Sequence, residues 1–199
     1  MATKRGGMTA QELLAQQAAD PVYQATRRAR DRELAEIAEQ RTQEQQPLLN
    51  DLAAAGVTVD WVGGLCSIPD ADERIYPVLL DHLTRAHSPW LLEWIGRAFG
   101  RKAARPVVWD TLVKLIKTHA LEEPAVEGVM AAISEMAQPS DLATLIDLLS
   151  DPSIGSSRIF LVSNLMRSKR PEARAALLRH QDDPDLTNEI RARFARSRC

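Results

Sequence analysis

A pair of adjacent aliphatic residues returns along the chain at almost constant spacing. The pairs are Leu79-Leu80, Leu112-Val113, Leu145-Ile146 and Leu177-Leu178, at intervals of 33, 33 and 32 positions. Each is followed by a proline with a polar neighbour (Ser88-Pro89, Glu123-Pro124, Asp151-Pro152, Asp183-Pro184) and then by a second amphipathic stretch. A unit of this length makes two short helices, cannot bury its apolar face alone and must stack on its neighbours. The expected fold is therefore all-α. It is an alpha-alpha superhelix, a right-handed solenoid of about four helix pairs, over residues 71–199. Residues 1–70 form an N-terminal helical extension made of a long charged helix and a connector.

Within the array the apolar residues keep helical spacing. The first unit, from about Ala71 to Gly100, places Ile75, Val78, Leu79 and Leu83 on its first helix and Leu91, Leu92, Ile95 and Phe99 on its second. Second helices repeat an apolar pair four places apart: Ile95/Phe99, Val129/Ile133, Leu161/Leu165 and Ile190/Phe194. In the third unit the run Ile159-Phe160-Leu161-Val162 predicts a helix that is apolar nearly all round, as suits one flanked on both sides. The fourth unit is thinner and carries Arg191, Arg193, Arg196 and Arg198, as suits a terminal cap with a polar outer face.

The extension has its own punctuation. Thr9 and Glu12 form a capping box, and Asp20-Pro21 supplies a cap and a first helical position. From Val22 to Gln46 the chain is rich in Arg, Glu, Ala and Gln, with only a thin stripe of Ala29, Leu34, Ile37 and Ala38. Pro47 should kink this solvated helix and Gly56 should stop it. Val57 to Ser67 reads as a connector with a short helical turn. Its β-branched alternation imitates a strand but has no second strand to pair with. Asp70 with Glu73 should cap the first unit. The long helix either packs along the first units as an N-terminal cap or stands out as a partner-binding arm.

Composition removes several classes of function. With 25 basic and 27 acidic residues the net charge is −2, so no general basicity advertises nucleic acid. No run approaches the ~18–20 apolar residues of a membrane span. The basic N-terminus lacks the apolar core of a secretory signal, and a soluble, cytoplasmic protein is expected. Cys66 and Cys199 make neither a metal spacing nor a disulfide framework. His82, His87, His119 and His180 lack a ligand partner at i, i+4, and three of them fall near ends of first helices, where imidazolium complements the helix dipole. Asp81, Asp110, Asp147, Glu93, Glu127 and Glu189 recur at similar places in successive units, as solvated outer positions do. No catalytic residue, metal or cofactor is expected.

The repeating residues resemble HEAT-type helical repeats, in particular the short bacterial kind, with the best local match in LIDLLSDP from Leu145 to Pro152. The resemblance covers about residues 71–197. It implies a curved solenoid that holds another macromolecule, with the second helices lining the concave side. The small residue usual within those helices is present as Ala98, Ala132 and Ala192, but the third unit has Asn164.

The most pointed surface feature is Trp90, Trp94, Arg97 and Arg101, which helical spacing puts on one face beside Leu91, Ile95 and Phe99. Two indoles and two guanidiniums can receive a peptide, an acidic surface or unstacked bases. The same spacing also fits tryptophans packed between units and arginines in solvent. The expected function is a non-catalytic interaction module or adaptor that binds a protein partner on the concave face. That class includes an immunity or regulatory protein that blocks another protein. The candidate binding residues are Trp90, Trp94, Arg97, Arg101, Glu127, Arg158, Arg167 and Arg191. The alternative is nucleic-acid binding through Arg97, Arg101, Arg158, Arg167 and Arg170. Trp109-Asp110-Thr111 resembles a segment of the alkylpurine DNA glycosylases built from HEAT-like repeats. In that family a carboxylate follows the tryptophan by one turn, and here Val113 stands there, so such a scaffold would lack its catalytic group.

Overall fold

The Thr9 hydroxyl accepts from the Glu12 amide (3.2 Å) while the Glu12 carboxylate accepts from the Thr9 amide (2.8 Å). This reciprocal pair starts α1 (Ala10–Ala19). The computed structural model describes residues 8–68 and 72–196. Asp20 Oδ1 then accepts from the amides of Val22 and Tyr23 and starts α2 (Pro21–Ala54). Pro47 does not end α2, although its ring removes the amide that would have donated to the Gln43 carbonyl. Gly56, at φ +84°, does the stopping. Its amide donates to Ala53 and that of Val57 to Leu52, which satisfies the last carbonyls of the helix.

The chain divides into two compact units, one up to Gln43 and one from Glu44 onward. In the first unit none of the described residues is buried, and Leu34 and Ile37 are exposed. Gln24 Nε2 donates to the Gln17 carbonyl across the α1–α2 junction.

The second unit begins with the last turns of α2, which bury Leu48 and Leu52. Buried Gln45 accepts from the Val62 amide (2.9 Å) and so fixes the start of a 3-10 turn at Val62–Ser67. The alternation before it forms no strand, and none occurs among the described residues. The cap expected at Asp70 lies outside the described residues. The helices that follow are α3 (Ile75–Leu83), α4 (Pro89–Arg97), α5 (Arg105–Lys117), α6 (Glu123–Met136), α7 (Leu142–Leu149), α8 (Ile159–Arg167), α9 (Pro171–Arg179) and α10 (Thr187–Arg196). None of them is long and apolar enough to cross a membrane, nor is any other helix among the described residues.

The repeated doublets fall on α3, α5, α7 and α9. Their first members, Leu79, Leu112, Leu145 and Leu177, are buried. The second members are half-buried until the last, Leu178, which is 44% exposed. Each buried leucine contributes about 1.5–3 kcal/mol. Around this core α4 packs against α3 and α6, α6 against α5 and α8, and α8 against α7, α9 and α10.

The α4–α6 contact is the tightest, and glycine permits it. A Cβ on Gly128 would stand 2.2 Å from the Glu93 carbonyl oxygen and 2.9 Å from the Gly96 Cα. A Cβ on Gly96 would meet the Val129 nitrogen at 2.7 Å. The two backbones touch where side chains would hold them apart. On the far side of α6, helix α8 differs from its sequence pattern. Leu161 and Val162 are buried, but Ile159 is exposed and Phe160 half-buried, so α8 is not enclosed all round.

Candidate functional site

Helix α4 begins at Pro89, whose missing amide would have had no partner in the first turn. That start places Trp90, Trp94 and Arg97 along one side, all half-buried. The Trp90 Nε1 donates to Glu44 Oε2 (2.6 Å), and the Ser88 hydroxyl donates to the same oxygen (2.6 Å). Trp94 meets Trp61 edge to face, with ring centroids 5.2 Å apart. Arg97 donates through Nε to Glu93 (2.8 Å) and through Nη2 to Glu127 (3.2 Å). Its guanidinium also lies 5.6 Å from the centre of the Phe160 ring. The structure thus brings Arg97 and Glu127 together in a strip of mixed charge flanked by indoles.

Arg101 is not on that strip. Helix α4 ends at Arg97, so helical spacing no longer applies four residues later. Arg101 is buried instead, and its Nη1 donates to the Ile68 carbonyl (2.7 Å). Among the described residues its Nε and Nη2 have no partner.

Arg158 is also buried, its side chain 3% exposed. The guanidinium donates to Asp183 (2.8 and 3.3 Å), to Asp185 (2.9 Å) and to the Leu149 carbonyl, while Nε holds the Gly155 carbonyl (2.8 Å). Gly155 has φ +65°, a conformation that glycine adopts without steric penalty. Burial works to raise the Asp183 carboxyl, but hydrogen bonds from Arg158 and the Asp185 amide, with the charges of Arg158 and His180, hold it below the usual carboxylate range. Arg158 therefore ties the α7–α8 connection to the α9–α10 connection. Arg191 is exposed and pairs with Asp182 (3.1 Å). Arg167, also exposed, donates to Asn164 Oδ1 (3.1 Å).

The histidines separate into two groups. His119 and His180 stand at the C-terminal ends of α5 and α9. His82 is fully buried rather than a solvated cap. Its Nε2 bonds Asp51 (2.8 Å), its Nδ1 bonds His87 Nε2 (3.1 Å), and the two rings stack. The hydrogen bond from His82 keeps the Asp51 carboxyl below its ordinary value. Desolvation, with repulsion from His82 and Arg85, lowers the His87 imidazole. Among the described residues no group of three or more His, Cys, Asp and Glu side chains is placed to hold a metal ion. Trp109 is nearly buried, and its ring is covered by Arg105 at 4.1 Å.

Glu44, Trp61 and Asp51 belong to these clusters and were not among the residues singled out from the sequence. Only Gln45 gave a signal, as a polar residue in the apolar register of Leu48 and Leu52. Comparison of the chain with models of protein families, with curated proteins and with solved structures finds no match.

Proposed function

We propose that the second unit is a HEAT-like solenoid and that it works as a non-catalytic interaction module whose face along α4, α6 and α8 receives a protein. The ordered packing of α4 on α6 and of α6 on α8 supports the solenoid reading. One observation carries the choice of partner. Arg97 is matched by Glu93 and Glu127 beside the half-buried Trp90 and Trp94. Mixed charge with aromatic anchors suits a protein interface, where Trp and Arg contribute most of the binding energy. Nucleic acid calls for a contiguous positive face, whereas Arg97 is compensated and Arg101 and Arg158 are buried, which leaves only Arg167 and Arg170 of the candidate set exposed without an acidic partner. A regulatory or immunity protein falls within this class.

The test is capture of a partner from host extract by wild type, by Trp94→Ala/Arg97→Ala, and by Arg27→Ala as a control remote in sequence. Loss of one protein with the double variant alone supports the reading. Equal capture by all three removes it, as does binding to duplex DNA that weakens steeply with salt.

A further inference from the structure

Each second helix turns a corner into the next pair, and two such corners are built differently. At the first, Arg105 donates to the Met136 carbonyl (3.4 Å) and to Asp141 (2.7 Å) while its guanidinium covers Trp109. A smaller cleft of about 290 Å³, lined by Arg105, Pro106, Trp109, Asp110 and Gln138, remains there. One 33-residue period later Arg105 is replaced by Gln138 and Trp109 by Leu142. There the structure leaves an open cleft of about 420 Å³.

Ala137, Leu142 and Leu145 lie in this cleft, and Arg167, Lys169 and Arg170 stand at its edge. Among the described residues no carboxylate lies within ion-pair distance of these three cations. The contrast with Arg97, Arg105, Arg158 and Arg193 is direct, since each of those has an acidic partner. The position of Arg167 is set by the chain itself. Ser134 donates to Asn164 Oδ1 (3.0 Å), Asn164 Nδ2 donates to the Ser134 carbonyl (2.8 Å), and Arg167 donates to the same Asn164 oxygen. Asn164, where the repeat pattern has a small residue, thus holds α8 to α6 and one edge of the guanidinium, leaving the other donors of Arg167 unused.

We propose that this cleft binds a short acidic peptide segment. One apolar side chain of the peptide rests on Ala137, Leu142 and Leu145, and flanking carboxylates meet Arg167, Lys169 and Arg170. The volume lies within the usual range of ligand pockets, and an apolar floor with few convergent charges is their usual composition. Guanidinium–carboxylate pairing supplies direction at the rim. Bases would need aromatic platforms, whereas the floor here is aliphatic and the nearest tryptophan in the repeat register, Trp109, is covered by Arg105. This assignment rests on the protein-binding reading and places part of the partner's contact at the corner.

The test uses the full chain and a fluorescein-labelled peptide with one central Leu and Glu at every other position, read by anisotropy. Saturable binding is expected, weakened about tenfold or more when Gln replaces Glu, when Ala replaces Leu, and in Arg167→Gln/Arg170→Gln. Both substituted residues are exposed, and unchanged thermal melting confirms that the variant is folded. No binding up to about 1 mM overturns the proposal. So does equal binding by the variant, by the Gln peptide or by the Ala peptide, or displacement of the peptide by octanoate or by an oligothymidylate of equal charge at lower concentration. If the native partner is captured equally by wild type and Arg167→Gln/Arg170→Gln but lost with Trp94→Ala/Arg97→Ala, the cleft assignment falls and the wider reading stands.

Discussion

Helix α6 meets α4 on one side and α8 on the other, and the two contacts are made by different means. Against α4 the backbones touch at Gly96 and Gly128, with no room for a single added carbon. Against α8 the contact is made by side chains, with Ser134 and Asn164 exchanging hydrogen bonds between the helices. The first arrangement leaves no cleft and relies on dispersion at short range. The second is bridged by the Asn164 amide and the Ser134 hydroxyl, and the open corner lies at its C-terminal end. The two junctions thus both flank buried leucines and differ in what meets between the helices, backbone in one and hydrogen-bonding side chains in the other.

The close junction is the one most sensitive to substitution. Gly128→Ala should lower stability by about 3 kcal/mol, because backbone atoms on α4 cannot move aside as a flexible side chain would. Gly155→Ala makes a useful control. A Cβ there meets nothing within 4 Å, and only the backbone conformation (φ +65°, ψ −145°) opposes it, at about 1–3 kcal/mol. Urea titration of both should show a lower midpoint with unchanged slope. A Gly128→Ala protein as stable as Gly155→Ala would mean that the α4–α6 contact is not rigid.

The hydrogen-bonded junction should respond less. Asn164→Ala removes the donor to the Ser134 carbonyl and the acceptor for its hydroxyl, with a loss of about 2 kcal/mol. Ser134→Ala added to it should bring a further loss of no more than about 1 kcal/mol, since its hydroxyl then keeps only the Phe160 carbonyl as acceptor (2.9 Å). Strictly additive losses would show that the two residues do not act as one contact.

The corner held by Arg105 and the larger cleft differ next. Arg105→Ala should cost about 2 kcal/mol, because it leaves the largely buried Asp141 without its charged donor. Arg167→Ala, at the larger cleft and exposed, should stay within about 0.5 kcal/mol of wild type. Equal losses at the two positions would erase the distinction on which the peptide cleft depends.

Much of the fold was legible because periodicity reports burial. The leading leucine of every doublet is in the core, and Thr9, Asp20, Gly56 and Pro89 each do what their residue type implies. The surface was less legible, for definable reasons. Helical spacing puts Arg101 on the α4 stripe, but α4 ends at Arg97 and the chain turns before Arg101 is reached. Arg158 read as a surface cation because its partners Asp183 and Asp185 are supplied by the next connection. Ile159 and Phe160 read as enclosed, yet face outward from α8 at least in part. The cleft is bounded by residues from two separate stretches, 137–145 and 164–170, which no local spacing in the sequence brings together.

The smallest effect concerns the other side of α4, where His87 stands before the helix and stacks on buried His82. Burial, with repulsion from His82 and Arg85, lowers the His87 imidazole below its ordinary value near 6.5. The unfolded chain therefore binds a proton at higher pH than the folded one does. Stability must then fall as pH drops through about 6.5 toward the lower folded value, and it is recovered above that window. Asp51 has the opposite kind of shift. Its lowered carboxyl contributes stability that is present above the usual carboxylate range and lost only when pH falls below about 4. The two groups titrate from different starting values, so His87→Gln should flatten the stability profile just below about pH 6.5 and leave the acid limb below about pH 4 in place. Thermal melts across that range measure it directly. If the slope near pH 6 survives in His87→Gln, the titrating group is elsewhere, and the stacked pair would be a packing contact without proton linkage.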